Sequence, residues 1–104
     1  MRNWTQLGVA PIPGSERTLG LYQSKDDFHI IISGGLELMN TRKHASEDAL
    51  GRLPCEQLAD TASARVLIGG LGMGFTLAAV LNAVGAQAEV TVAELIPEVV
   101  EWNR

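Results

Sequence analysis

Between Val66 and Ala88 the chain carries no charged residue, yet Gly69, Gly70, Gly72 and Gly74 crowd the start of that run. Each glycine weakens a helix interior by roughly 1 kcal/mol. A continuous membrane-spanning helix is therefore rejected, although Gly70 and Gly74 form a GxxxG pair. The run divides instead. Val66-Leu67-Ile68 is short and wholly apolar, as expected of a strand buried on both faces of a parallel sheet. After the glycines, Leu77, Val80, Leu81 and Val84 recur at i, i+3, i+4 and i+7, the stripe of an amphipathic helix. Gly85 stands where a helix C-terminal glycine belongs. Val90 and Val92 mark a second strand over Glu89–Glu94, and Pro97 opens another helix that includes Val99, Val100 and Trp102. The order is strand, glycine turn, helix, strand, helix start.

That order has a chemical reading. A strand that enters a helix through glycines lets the backbone approach a ligand closely, because no Cβ intervenes and positive φ is open. Amides at the helix start attract an anion or carboxylate, and an acid at the end of the next strand is placed to accept hydrogen bonds from ribose hydroxyls. Glu94 lies 22 residues after Gly72 (72 to 94), close to the roughly 20 expected for that role. The dinucleotide pattern G-x-G-x-x-G fails at its third glycine, which is Phe75; Gly70, Gly72 and Gly74 make G-x-G-x-G, the spacing associated with S-adenosylmethionine (SAM) sites. The candidate cofactor-binding set is Gly70, Leu71, Gly72, Gly74, Glu94 and Leu95. NAD is the alternative cofactor.

Upstream the pattern is different. Residues 1–17 read as irregular, punctuated by Pro11, Pro13 and Gly14. Thr18–Gln23, Phe28–Ser33 and Leu36–Met39 read as an antiparallel meander, turned at Ser24–Asp27 and at Gly34-Gly35. Ser46, followed by Glu47 and Asp48, looks like a helix N-cap with acids in the first turn, and Ala49, Leu50 and Leu53 mark that helix's buried side. Pro54 interrupts it. His29 and His44 read as surface or turn histidines, Cys55 as a small core residue, and Phe75 and Trp102 as packing residues. No metal site is expected. A net charge of −4 with scattered basic residues argues against a nucleic-acid partner. One cysteine and no apolar run behind Met1-Arg2 agree with a cytoplasmic protein that has no signal peptide.

The strings Val66-Leu67-Ile68-Gly69-Gly70-Leu71-Gly72-Met73-Gly74 and Val90 through Glu101 (VTVAELIPEVVE) resemble the spermidine and spermine synthase family, Rossmann-like relatives of the SAM-dependent methyltransferases. The resemblance spans roughly Leu19 to Arg104. It implies that Gly70, Gly72 and Gly74 meet the aminoacyl and sugar region of SAM or decarboxylated SAM, and that Glu94 meets the ribose. The chain departs from the family at Gly72, where an aspartate is usual. It departs again at Glu37 and Ser46-Glu47-Asp48, in place of a glutamine and a Tyr-His-Glu run, and at Glu94-Leu95-Ile96-Pro97, in place of Glu-Ile-Asp-Pro. In the family these positions serve polyamine and donor contacts, so the resemblance implies a spermidine-synthase-like methyltransferase rather than a true aminopropyltransferase. The family's catalytic aspartate follows a later strand, so the resemblance leaves no catalytic residue to name before Arg104 and makes the chain an N-terminal portion.

The expected fold is α/β: an antiparallel β-rich segment over residues 1–40, linking helices over 41–63, and the first half of a Rossmann-like parallel sheet over 64–104. The expected function is SAM-dependent transfer to a small-molecule substrate. An NAD-binding oxidoreductase fragment and a non-catalytic, self-associating Rossmann-like protein are the alternatives. Two parallel strands with a single complete helix leave apolar surface uncovered, so a homo-oligomer is expected.

Overall fold

The computed structural model describes residues 3–104. Met1 and Arg2, which the sequence reading placed in an irregular lead without a signal peptide, lie outside the described residues. The elements run β1 (Thr5–Pro11), β2 (Thr18–Ser24), β3 (Asp27–Ile32), β4 (Leu36–Asn40), α1 (Ala45–Glu56), β5 (Arg65–Gly69), α2 (Phe75–Ala83), β6 (Glu89–Ala93) and α3 (Pro97–Trp102). The chain is mixed α/β, with a four-stranded antiparallel sheet β1-β2-β3-β4 and a two-stranded parallel sheet β5-β6. It divides into two compact units: residues 3–43 with Leu95–Arg104, and His44–Glu94. Among the described residues no helix is long and apolar enough to cross a membrane, and the uncharged run from Val66 is a strand, a turn and a helix.

In the first unit the meander read from Thr18 to Met39 is present, but it has a fourth strand. Residues 5–11 pair with β2 from Thr5↔Gln23 to Pro11↔Thr18, which corrects the reading of this stretch as irregular. Pro11 ends the strand, where a missing amide costs little, and Gly14 (φ 77°) serves the turn beyond it. The register shifts between Gln6 and Gly8, and between Ile30 and Ile31 on β3 opposite Met39 and Glu37 on β4. The residues passed over, Leu7 and Leu38, are both exposed, as unpaired bulge residues often are. Ala10, Leu19, Ile30 and Ile31 form the interior, and Ile96 and Val99 near and within α3 are buried too. α3 lies against β1 at Gly8, where an added Cβ would come within 2.7 Å of Trp102 Nε1. Trp102 is thus a packing residue.

In the second unit β5 and β6 run parallel, in register from Arg65↔Glu89 to Gly69↔Ala93, and α2 is the crossover between them. Cys55, Ile68 and Val80 are its buried centre, with Val66, Leu77, Ala83, Val84, Val90 and Val92 packed around them. Several expectations are corrected here. β5 is covered on one face only: Ile68 is buried while Leu67 is 72% exposed, because the described helices of this unit pack on the Val66/Ile68 side. α1 buries Gly51 and Cys55, whereas Leu50 and Leu53 point outward. Its N-cap is His44, not Ser46, whose hydroxyl donates to the Glu47 carboxylate instead. Pro54 is accommodated inside the helix. Leu81 of α2 is exposed, and α2 ends in an extended Val84, so Gly85 is not a left-handed cap. Gly85 is needed for proximity: a Cβ there would lie 2.7 Å from Ala62 Cα, and its N–H donates to Thr61 O at 2.8 Å.

The leucines of α1 face outward because two helices cross here almost backbone to backbone. A Cβ on Gly51 would meet Thr76 O at 2.5 Å and Ala79 Cβ at 2.8 Å. The Thr76 hydroxyl donates to Glu47 O at 2.9 Å in the same contact. Gly51→Ala should therefore destabilise the protein despite the roughly 1 kcal/mol gain in helix propensity, because overpacking costs about 1–3 kcal/mol. Denaturant unfolding reads the difference; a more stable Gly51→Ala protein would show that α1 and α2 do not cross at this point.

Candidate functional site

The turn between β5 and α2 is built from the three glycines singled out by their spacing. Gly70 (φ 89°), Gly72 (φ 54°) and Gly74 (φ 80°) all hold positive φ, a region that costs residues with a side chain roughly 1–2 kcal/mol each. Gly70 N–H donates to Ala93 O at 2.7 Å and so carries the β5–β6 ladder one step past the strand ends. Gly74 N–H donates to Leu71 O at 2.8 Å, which closes the turn, and Gly74 O accepts from Ala78 N at 2.9 Å, the first hydrogen bond of α2. The N-cap residue Gly74 has no side chain with which to cap α2, and no acid lies in the first turn of that helix, so its own residues bring no carboxylate to its positive end.

The acid comes from the other strand. Glu94 directly follows β6, and its Oε1 accepts a hydrogen bond from Leu71 N–H at 2.7 Å. The structure thus brings Gly70, Leu71, Gly72, Gly74 and Glu94 together around one turn. Leu95, the sixth residue of the candidate set, is 65% exposed and makes no contribution to that hydrogen-bonded group. A Cβ added at Gly69 or Gly70 would meet nothing within 4 Å, so there is room over the turn for a flat or extended group to lie against bare backbone. Phe75, at the third position of the dinucleotide pattern, stacks on His44 with ring centroids 3.8 Å apart and planes 7° from parallel. It is a packing residue, as read from the sequence.

Beside the turn, a cavity of about 710 Å³ opens between α1 and α2, lined by His44, Asp48, Arg52, Cys55, Phe75 and Asn82 among others. Its volume is in the range of small-molecule sites. His44 N-caps α1, and its Nδ1–H donates to the Asp48 carboxylate at 2.8 Å. Arg52 pairs with Glu56 at 2.8 Å. Cys55 is buried at the base of this region, a core thiol as expected.

Sequence reasoning missed the partners of both histidines. His44 is held by Asp48, four residues on along α1. His29 is 7% exposed, stacked on Trp4 at 3.9 Å, and hydrogen-bonded at both ring nitrogens, by Ser24 and Glu37. The i, i+4 spacing of His44 and Asp48 was a usable signal; the surroundings of His29 depend on strand register. Among the described residues, no group of three or more His, Cys, Asp or Glu is placed to hold a metal ion. No protein-family model matches the chain, and no curated protein matches it either.

Proposed function

We propose that the glycine turn and Glu94 hold the nucleoside and amino-acid portions of SAM, or the nucleoside portion of decarboxylated SAM, and that the chain serves a SAM-dependent transfer, methyl transfer rather than aminopropyl transfer. The observation that carries this reading is the Leu71 N–H to Glu94 Oε1 hydrogen bond of 2.7 Å, which sets a strand-end carboxylate against a turn of three positive-φ glycines. A carboxylate at that height has the chemistry to accept from both ribose hydroxyls. Bound there, the cofactor supplies an electrophilic carbon on its sulfonium. The turn's role is to orient it, with open space at Gly69 and Gly70 and the N-terminal end of α2 beside it, whose dipole favours the carboxylate that SAM carries. The sheet and crossover support a Rossmann-like assignment, since β5-α2-β6 is a parallel βαβ unit. Phe75, committed to its stack on His44, counts against a dinucleotide.

Calorimetry with SAM, its demethylated product, decarboxylated SAM and NAD separates the readings. Binding of at least one sulfonium ligand or the demethylated product is expected. Tight NAD binding with silence from the other three would replace this proposal with a nicotinamide site. Silence from all four would favour the non-catalytic alternative. Glu94→Ala should weaken cofactor binding by about 1.5–3 kcal/mol, the range for hydrogen bonds to a charged group.

We further infer that two copies associate through the uncovered face of the parallel sheet. Leu67 stands out from it, and Arg65 and Glu89, ion-paired at 3.3 Å, carry opposite charges side by side. A twofold axis running along the strands, midway between β5 and β6, would set each charge over its opposite. Light scattering at low micromolar concentration should return a dimer or larger assembly, and Leu67→Lys should shift it toward monomer. A wild-type monomer with a sharp cooperative melt would refute the association.

A further inference from the structure

The first unit holds three side chains in the relative order of an acyl-transfer triad. Ser24 Oγ lies 2.8 Å from His29 Nε2, and His29 Nδ1 lies 2.7 Å from Glu37 Oε2. A carboxylate only accepts hydrogen bonds, so Nδ1 carries the proton and donates to Glu37. In the neutral ring Nε2 is then the acceptor and the Ser24 hydroxyl the donor, the polarity in which an imidazole serves as base to a serine. Asn40 Nδ2–H donates to the other Glu37 oxygen at 2.7 Å. This bond, with the partial counter-effect of burial and then the contacts with His29, holds the Glu37 carboxyl below its ordinary range. Trp4, stacked on the imidazole at 3.9 Å and 17°, fixes the ring plane.

The arrangement depends on the bulge in β4. His29 pairs with Asn40 and Ile30 with Met39, but Ile31 pairs with Glu37 because Leu38 is passed over. Without that extra residue Glu37 would fall opposite Ile32, and its side chain would point to the other face of the sheet. Ser24 ends β2 beside the Lys25-Asp26 turn, half-buried and at the rim of the sheet. The amide of Lys25 directly follows it, the position from which a backbone N–H can meet the oxyanion of an acylating serine.

We propose that Ser24, His29 and Glu37 form an acyl-accepting serine site that reacts with esters of small acyl groups. Ser24 Oγ bonds to the ester's carbonyl carbon while its proton passes to His29 Nε2. The carbonyl π pair moves onto oxygen and returns as the bond to the alkoxy group breaks, and the leaving alcohol takes the proton from Nε2. Water repeats the sequence on the acyl-serine, releasing the acid and restoring Ser24. Ser24 and His29 are the catalytic residues. Glu37 is a positioning residue that acts through His29. The site lies wholly within the first unit and is independent of the cofactor reading.

The test treats the full chain with p-nitrophenyl acetate and, separately, with a fluorophosphonate, followed by peptide mapping. One adduct on Ser24 is expected, absent from Ser24→Ala. Glu37→Gln should slow labelling on the order of a hundredfold with the cooperative melt retained, and Glu37→Asp should recover part of the rate, which a purely structural role would not produce. Adducts on Lys25 or scattered over several serines, Ser24 labelling no faster than in the urea-unfolded chain, or equal rates for wild type and a folded Glu37→Gln would each overturn the proposal and leave His29 a satisfied core histidine only.

Discussion

Parallel strands cannot be joined by a tight turn, and much of the second unit follows from the pairing of β5 with β6. The chain must leave the end of β5, cross one face and return to the start of β6, so α2 is obliged to lie against the sheet. Leaving β5 that way demands a sharp change of direction, met by Gly70, Gly72 and Gly74 at positive φ. The same pairing sets the ends of the two strands level, which is why Glu94 reaches the amide of Leu71. The geometry of the candidate site thus follows from strand direction.

The parts of the fold legible in the sequence were those set by local rules. Gly34 and Gly35 do hold positive φ at the β3–β4 reversal, Pro97 does begin a helix, and Glu47 and Asp48 do lie in the first turn of one. What could not be read depends on a neighbour. Thr5–Pro11 has weak strand character of its own and becomes a strand through β2. The leucines of α1 point outward because Gly51 lets α2 approach so closely that small residues, not large ones, form the contact. Leu67 has the hydrophobicity of a doubly buried strand, but the described helices of its unit cover only one face. In each case pattern reported the potential to bury a residue, and packing decided whether it was used.

The candidate cofactor residues were the easiest to find because backbone geometry itself selects glycine, so composition and conformation carry the same message. The environment of His29 was the hardest. It joins residues from three strands, and the one-residue bulge at Leu38 determines whether Glu37 faces the imidazole or turns away from it. Both histidines offer Nδ1 to a carboxylate, Glu37 in one unit and Asp48 in the other, and both are stacked on an aromatic ring. Each ring is therefore fixed in plane and in tautomer by its surroundings.

The β5–β6 ladder extends beyond the strands at both ends. Glu89 N–H donates to Ala64 O at 2.8 Å before the first rung, and Gly70 N–H donates to Ala93 O after the last. The second of these closes over a turn in which Gly70, Gly72 and Gly74 all hold positive φ. In heavy water the Gly70 amide should accordingly exchange with the slow class of the sheet, although it belongs to a glycine in a loop. The first residue of the turn is thereby tied to the sheet by its own amide, and the next, Leu71, is tied by its amide to Glu94.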